Sequence, residues 1–354
     1  DEFNKNKIVE FINPDNGYKY AIVTWPGMIG AVSGMNEKGL TITINAGKSS
    51  IPFQAKTPIS LLTKEILQYA KNLQEAKEIV KKRKVFVAES ILVGSAEDRK
   101  AITIEVSPKK TGIYEVSQQD VLVCSNHFQS DIYKDDKRNL KQITESHSEY
   151  RFERMSQLIT SSPRLTPEQG AEILRNKDGW DNFALGYGNE KAINQLLAHH
   201  GVLFQPEKRM MWVSANPYQL GEFVAYDLTT AFKKLATLTR DSPVDSSSMN
   251  IPPDPFLYSK DYLNYEEYRK QSRSLHFNIK NKRLVSPSYL QTYLKLNPEF
   301  WEAYFNVGEY YFTHKNFPTA LHYYKLATQK EITTIPSQKL VEKRIKKCEN
   351  KIKP

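Results

Sequence analysis

Few side chains in this sequence combine a reactive group with a neighbour that could activate it, and the first to consider is a thiol. Cys124 is the only plausible thiol nucleophile, and it would need an imidazole from His127, His199 or His200 beside it. However, it ends the apolar, strand-like run Val121–Cys124, which is typical of a buried and unreactive cysteine. We therefore predict that Cys124 is not the nucleophile.

The spacing of cysteine and glycine residues argues against two other kinds of site. Cys124 and Cys348 are far apart and lack metal-ligand spacing, so neither a zinc site nor a disulfide framework is expected. Gly27, Gly34 and Gly39 are turn glycines, and no GxGxxG or Walker pattern accompanies them. We expect no metal and no organic cofactor.

The segment from Trp25 to Gly47 carries the strongest structural signal. Asn36–Gly39 has the residues of a tight turn. Thr41–Ile44 alternates polar and apolar residues with the period of a half-buried strand. The segment therefore predicts a strand, a turn and a second strand that ends at Asn45.

As a string, Ser33–Leu40 followed by a strand ending in Asn45 resembles the isopenicillin-N (acyl-coenzyme A:6-aminopenicillanic acid) acyltransferase family. It is also similar to the related bile-salt (choloylglycine) hydrolases and penicillin V amidases, and all of these are N-terminal-nucleophile hydrolases. Later segments resemble further elements of the family in the same order, namely Leu122–Phe128, Ser148–Arg151 and the pair 202–206 and 211–214. The resemblance extends over about two thirds of the chain.

The resemblance implies roles for three residues. Asn126 and Asn45 match asparagines that stabilise the oxyanion of the tetrahedral intermediate, and Arg151 matches an active-site arginine that organises the pocket. Without the resemblance, Asn126 and Asn45 are better interpreted as asparagines that cap backbone groups of a turn or a strand end. Arg154 is an alternative to Arg151 as the match for the family's arginine. His127 is interpreted as structural, because an α-amino group serves as the base in these enzymes.

The resemblance also implies the nucleophile, which is the side chain of an N-terminal cysteine freed by autoproteolysis. The sequence begins with Asp1, so we expect this cysteine upstream of Asp1, on a companion N-terminal fragment. The expected function is an amide (non-peptide C–N) hydrolase or acyltransferase that forms an acyl-enzyme with a small-molecule N-acyl amide or acyl thioester. The alternative is a catalytically inactive acylase-like scaffold that binds a partner through its helical tail.

The elements that would position these residues are mixed strands and helices. Strand hairpins, then paired helices, then strands again predict an α+β fold. The family resemblance implies a four-layer αββα N-terminal-nucleophile hydrolase sandwich with a C-terminal helical extension. A helix start is predicted with Thr57 as its N-cap and Pro58 at the first helical position. Asn72 predicts a break before a second helix, and residues 192–198 predict a further helix.

Composition divides the chain into three parts. Residues 1–240 are the expected hydrolase core, lacking its first strand and nucleophile. Residues 241–283 begin with a Pro- and Ser-rich stretch and are expected to be a linker or wrapping segment. Residues 284–354 resemble a tetratricopeptide repeat, with small and large residues at the positions of that repeat: Tyr304, Val307, Gly308, Tyr311, Ala320, Tyr324 and Ala327. The alternative is an unrelated helical hairpin with an aromatic core.

The overall composition is that of an ordinary globular protein. Of 354 residues, 40% are hydrophobic and 25% are charged, and no apolar run approaches the length of a membrane-spanning helix. The formal net charge is +10, with much of the excess in Lys81–Lys84, Lys280–Arg283 and Lys343–Lys347. Because no nucleic-acid recognition motif accompanies these runs, we expect solvated helix faces and no nucleic-acid partner. The charge would steer anionic ligands, such as carboxylates or lipid head groups, towards the chain.

Overall fold

The computed structural model describes residues 5–49, 56–116, 120–160, 164–237, 242 and 244–353. The chain forms two compact units. The first comprises Asp1–Thr144, Met155–Arg175 and Ala198–Pro253, and the second comprises Glu145–Arg154, Asn176–Leu197 and Asp254–Pro354. The second unit therefore draws two segments from the middle of the chain. The linear boundaries expected at residues 240 and 283 stay a prediction.

The first unit contains a seven-stranded antiparallel sheet whose strands follow one another in chain order. Its strands are β1 (Ile8–Ile12), β2 (Tyr20–Thr24), β3 (Ser33–Asn36), β4 (Leu40–Ala46), β5 (Glu89–Ser95), β6 (Lys100–Val106) and β7 (Thr111–Tyr114). The expected strand, turn and strand are the hairpin of β3 and β4. Gly39 in its turn has a φ of +75°, a left-handed conformation that favours glycine.

A second sheet of three antiparallel strands completes the first unit, in the order β10, β9, β8. Its strands are β8 (Val202–Gln205), β9 (Met210–Ser214) and β10 (Phe223–Asp227). The helices before β8 are α1 (Ile59–Tyr69), α2 (Leu73–Lys81), α3 (Lys137–Glu145), α4 (Ser148–Thr160) and α5 (Pro167–Leu174). Those after β10 are α6 (Leu228–Lys234), α7 (Lys260–Lys280), α8 (Pro287–Leu296), α9 (Trp301–Thr313), α10 (Phe317–Ala327) and α11 (Ile335–Ile352).

Three apolar clusters stack these elements of the first unit into four layers. The first cluster joins α1 and α2 to one face of the large sheet, through residues such as Leu62, Ala76 and Ile91. The second joins the other face to the small sheet, where Met35 packs with Met211 and Val213. A third joins the small sheet to α5, which contributes Ala171 and Leu174. The expected α+β, αββα sandwich is therefore confirmed.

The second unit is mainly helical, which confirms the expected C-terminal helical extension. Helices α9 and α10 form a hairpin in which Gly308 lies against the ring of Tyr324. A Cβ at position 308 would come within 2.6 Å of that ring. The likeness to a tetratricopeptide repeat stays a prediction. In the described part of the chain, no helix has the length and apolar composition needed to cross a membrane.

Two local expectations were wrong and one is confirmed. Thr57 does not cap α1, because it forms a bridge with Val85 and α1 begins at Ile59 beside Pro58 without a side-chain cap. Residues 192–198 form no helix, since Leu196 takes a φ of +52°. The break at Asn72 is confirmed, because its side chain accepts a hydrogen bond from the Glu75 N–H and caps α2.

One buried side chain connects the β3–β4 turn to the end of α1. The Asn36 amide nitrogen donates to the carbonyls of Leu67 (2.9 Å) and Ala70 (2.7 Å). Its oxygen accepts from the N–H groups of Lys38 and Leu40, both at 3.0 Å. Asn36 is fully buried, and its bonds to Leu67, Ala70 and Leu40 are buried as well, so water cannot replace those three bonds. The central asparagine of the recognised string therefore has a structural role.

We predict that Asn36→Leu lowers the free energy of unfolding by about 3–5 kcal/mol, because it removes the partners of three buried backbone groups. Urea titration of the purified protein measures this. The control is Asn350→Ala, which changes an exposed asparagine of α11 and is expected to shift stability by less than about 0.5 kcal/mol. Equal stability of the two variants would contradict the structural role.

Candidate active site

A row of three polar side chains crosses β4, β5 and β6. Asn45 is the register partner of Ser90, and Ser90 is the partner of Glu105. Directly opposed residues share one face of a sheet, and neighbours in a strand alternate between faces. The row therefore points away from α1 and α2, because Ile91 and Ile104 pack with those helices. Ser90 and Glu105 are buried.

Cys124 lies against this row. The Asn45 amide nitrogen donates to the Cys124 sulfur at 3.4 Å. Burial raises the pKa of the Cys124 thiol to about 11, even though hydrogen bonds from Asn45 and Ser90 favour the thiolate. The thiol therefore stays protonated near neutral pH, as its place in an apolar run predicts.

Asn126 meets the same end of β4 as Asn45. Its amide nitrogen donates to the carbonyl of Ala46, the residue after Asn45, at 3.0 Å. The structure thus brings together two asparagines that are far apart in the sequence, at the edge where β4 ends. A side-chain amide carries two N–H donors, and such donors can stabilise a developing negative charge on oxygen.

Two buried side chains hold the segment that carries Asn126. The Glu105 carboxylate accepts from the N–H of Gln129 (2.6 Å) and from the N–H (3.0 Å) and hydroxyl (2.5 Å) of Ser130. The Asn139 amide accepts from the N–H of Phe128 (2.8 Å) and donates to its carbonyl (2.9 Å). Glu105 was not among the residues predicted from the sequence, although a carboxylate within the apolar strand segment Ile102–Val106 is a signal for such a role.

A second polar pair lies on the same face of the large sheet. Ser33 is the register partner of Thr43, two residues before Asn45, and its hydroxyl is 2.9 Å from the His200 Nε2. Burial, with smaller contributions from Lys7 and His199, lowers the pKa of His200 to about 4, so the ring is neutral at neutral pH. Its Nδ1 is buried and has no hydrogen-bond partner among the described residues. No sequence motif pointed to this pairing.

Arg151 belongs to the second unit, on α4. Its guanidinium contacts the Nδ1 of His147, at 3.1 Å from Nη2, and the Nε2 of His147 lies 3.3 Å from the Glu190 carboxylate. Burial lowers the pKa of Arg151 to about 10, and Glu190 opposes that shift. The alternative match, Arg154, is buried and donates to the Asn182 side chain at 2.7 Å. The catalytic role of Arg151 stays a prediction.

Other features of the described residues do not extend the site. A cavity of about 880 Å³ lies at the turn between β5 and β6, and its lining includes Asp98, Arg99 and Lys100 but neither Asn45 nor Asn126. No group of three or more His, Cys, Asp or Glu side chains that could hold a metal ion occurs in the described parts of the chain.

We predict that Glu105→Gln lowers the free energy of unfolding by about 2–4 kcal/mol. The new amide group cannot accept all three bonds, and its own N–H donors would face those of Gln129 or Ser130. Urea titration measures the loss. Glu172→Gln, an exposed change on α5, is the matched control and is expected to be neutral. A loss no larger than the control would show that Glu105 does not hold this segment.

We also predict that Cys124 reacts slowly with iodoacetamide in the folded protein. At pH 8 a pKa of about 11 instead of 9.0 lowers the thiolate fraction by about a hundredfold. The rate is expected to rise about tenfold per pH unit towards pH 11. Peptide mass spectrometry separates Cys124 from Cys348, and urea-unfolded protein gives the unprotected rate. Fast labelling of native Cys124 at pH 8 would make it a candidate nucleophile after all.

The chain is similar to solved structures of low sequence identity. The chain is similar to a solved N-acylethanolamine-hydrolyzing acid amidase ortholog from Caenorhabditis elegans, with 14% identity, 51% of this chain and 78% of that chain covered, and a TM-score of 0.37. It is also similar to a variant of conjugated bile acid hydrolase from Clostridium perfringens, with 12% identity, 63% and 81% covered, and a TM-score of 0.31. No curated protein matches the chain.

The sequence itself matches a known family over residues 5–217, a segment that includes Asn45, Asn126 and Arg151. The family recognised from the string Ser33–Leu40 is thereby confirmed. Because the match extends over more than half of the 354 residues, this protein belongs to the acyl-coenzyme A:6-aminopenicillanic acid acyl-transferase family.

Proposed function

We propose that this protein is an N-terminal-nucleophile amide hydrolase or acyltransferase that acts through an acyl-enzyme on an N-acyl substrate. The observation that carries the proposal is the convergence of Asn45 and Asn126 at the end of β4, inside the segment that matches an acyltransferase family. The substrate is a small-molecule N-acyl amide or acyl thioester. Its carbonyl oxygen becomes negative during the reaction and needs fixed donors.

The two asparagines can supply such donors because their surroundings hold them in place. Asn126 is fixed by its bond to Ala46, and its segment is fixed by Glu105 and Asn139. Asn45 is fixed within the paired strands β4 and β5. One fixed amide donor contributes about 3 kcal/mol to stabilising a tetrahedral intermediate. A prearranged pair of amides therefore supports catalysis of acyl transfer.

The nucleophile in this proposal is a cysteine other than Cys124 and Cys348. Burial raises the pKa of Cys124 to about 11 and also raises that of Cys348, which is fully buried in α11. We propose that the nucleophile is an N-terminal cysteine on a companion fragment, released by autoproteolysis. Its thiol proton passes to its own α-amino group and then to the leaving amine, while sulfur bonds to the acyl carbon. Water or an amine then takes the acyl group and restores the thiol.

We further propose that Arg151 is an active-site residue, because it lies in the segment that matches the family. Its guanidinium is oriented by His147, which is in turn held by Glu190. An arginine whose pKa is lowered to about 10 is still fully charged at neutral pH. It can therefore act as a fixed cation for a carboxylate group.

We predict that Asn126→Ala and Asn45→Ala each lower kcat by about a hundredfold to a thousandfold, with little change in KM. The native protein, with any companion fragment, is assayed with chromogenic N-acyl anilides of varied acyl length. Intact-mass spectrometry then detects the acyl-enzyme on the companion fragment. The control is Cys124→Ser, which is expected to retain activity because Cys124 is not the nucleophile.

The alternative function, an inactive scaffold that binds a partner through its helices, makes the opposite prediction. Asn126→Ala and Arg151→Ala would then leave function unchanged, whereas changes at Tyr311 or Tyr324 would abolish partner binding. Absence of any acylated species in the native protein, together with unchanged behaviour of Asn126→Ala, would overturn the enzymatic proposal. Acylation of Cys124 itself would retain the enzyme but overturn the proposed nucleophile.

A further inference from the structure

Two basic runs that are distant in the sequence lie at the same end of the helical unit. One is at the end of α7 and the other is in the last turns of α11. The C-terminal end of α9 lies between them, and Lys315 comes shortly after it in the sequence. We call this region the basic end, and its cations are Lys280, Lys282, Arg283, Lys315, Lys346, Lys347, Lys351 and Lys353.

Contacts within the unit show that α9 and α11 run in the same direction. The indole N–H of Trp301, at the start of α9, donates to Thr333, just before α11, at 2.8 Å. Near the other end of α9, Glu309 accepts two bonds from Arg344 of α11, at 2.6 and 2.7 Å. The residues after Arg344 therefore lie at, or extend beyond, the C-terminal end of α9.

Helix α7 is also parallel to α9. His276, in the last two turns of α7, lies 3.0 Å from the side chain of Asn306. The segment that follows α7 reaches the last turn of α9, where the Val285 N–H donates to the Tyr310 hydroxyl at 3.1 Å. The C-terminal ends of all three helices therefore lie together, and they carry both basic runs.

The positive charge of the basic end is not neutralised within the unit. All eight cations are exposed, and none forms an ion pair with another described residue. Within residues 277–286, 313–317 and 345–353, the only carboxylate is Glu349. Each helix C-terminus carries about half a negative charge, so three of them offset only about 1.5 charges. The end therefore stays strongly positive.

Exposed apolar side chains lie among these cations. Leu284 is 81% exposed, the highest value among the large apolar side chains described, and it follows Lys282 and Arg283 directly. Phe277 is 52% exposed and Ile352 is 42% exposed. Apolar side chains within a basic surface suit the interface of a membrane, where cations meet phosphate groups and apolar groups enter the acyl region.

We propose that the basic end docks on the surface of a lipid bilayer that contains anionic phospholipids, with Leu284 and Ile352 inserted between head groups. Charge complementarity selects the anionic surface. A nucleic acid is less well matched, because binding of single strands uses free aromatic faces for base stacking. The Phe277 ring is not free, since the Arg283 guanidinium lies over it at 5.0 Å. This surface is independent of the proposed catalytic residues.

The test is co-sedimentation of the full protein with vesicles at an ionic strength of about 0.15 M. One set contains phosphatidylcholine alone, and the other replaces about a third of it with phosphatidylserine. Strong binding is expected only to the anionic set. Lys282→Gln/Arg283→Gln is expected to weaken partition about 25-fold, at about fivefold for each cation. Leu284→Gln is expected to weaken it about tenfold.

The matched control is Lys82→Gln/Lys84→Gln, which removes the same charge from two exposed lysines of the first unit. It is expected to bind anionic vesicles like the unchanged protein. Circular dichroism confirms that each variant is folded. Equal binding to both vesicle sets, an equal loss in the control, or binding of a DNA duplex in place of vesicles would each overturn the proposal.

Discussion

The candidate site depends on one constraint, the burial of the Glu105 carboxylate. A buried carboxylate is costly unless several donors surround it. In this protein the donors are the N–H groups of Gln129 and Ser130 and the Ser130 hydroxyl. Because two of them are backbone groups of the segment after Asn126, satisfying the charge also fixes that segment on the sheet. The position of Asn126 therefore follows from an electrostatic requirement at a residue that has no part in the proposed chemistry.

The inner face of the large sheet shows how one surface serves both packing and chemistry. Over β2 and at Met35 of β3 it is apolar, and Ala21, Val23 and Met35 pack against the small sheet. Over β4 to β6 the same face carries the row of Asn45, Ser90 and Glu105. Every second residue of a strand faces the same side of the sheet. The face therefore changes from apolar to polar where those positions carry polar residues in place of apolar ones.

The two units depend on different interactions. The first unit is organised by paired strands and by a few buried polar groups such as Asn36 and Glu105. The second is organised by helices with many aromatic contacts, for example the stacked rings of Tyr311 and Tyr323, 5.6 Å apart. Several of its exposed lysines lie at the C-terminal ends of helices, where their positive charge offsets the negative end of the helix dipole. The positive charge at the basic end is larger than the partial negative charge of the helix C-termini.

The sequence alone was sufficient for features that depend on neighbouring residues. The alternation in Thr41–Ile44 predicted a strand, Asn36–Gly39 predicted its turn, and Asn72 predicted a helix start, because these preferences act within a few residues. The string Ser33–Leu40 also led to the correct family. The predicted capping role of Thr57 was wrong, because a tertiary bridge to Val85 holds this residue in an extended conformation.

The remaining features were decided by the tertiary structure. The contact of Asn45 with Cys124 joins residues 79 positions apart, and that of Ser33 with His200 joins residues 167 apart. The family resemblance named Asn45 and Asn126, but it did not show that Glu105 and Asn139 hold the second of them. The joining of two basic runs at one end of the helical unit likewise has no local signal. Such pairings depend on strand register and on the direction in which helices pack, which no short stretch of sequence encodes.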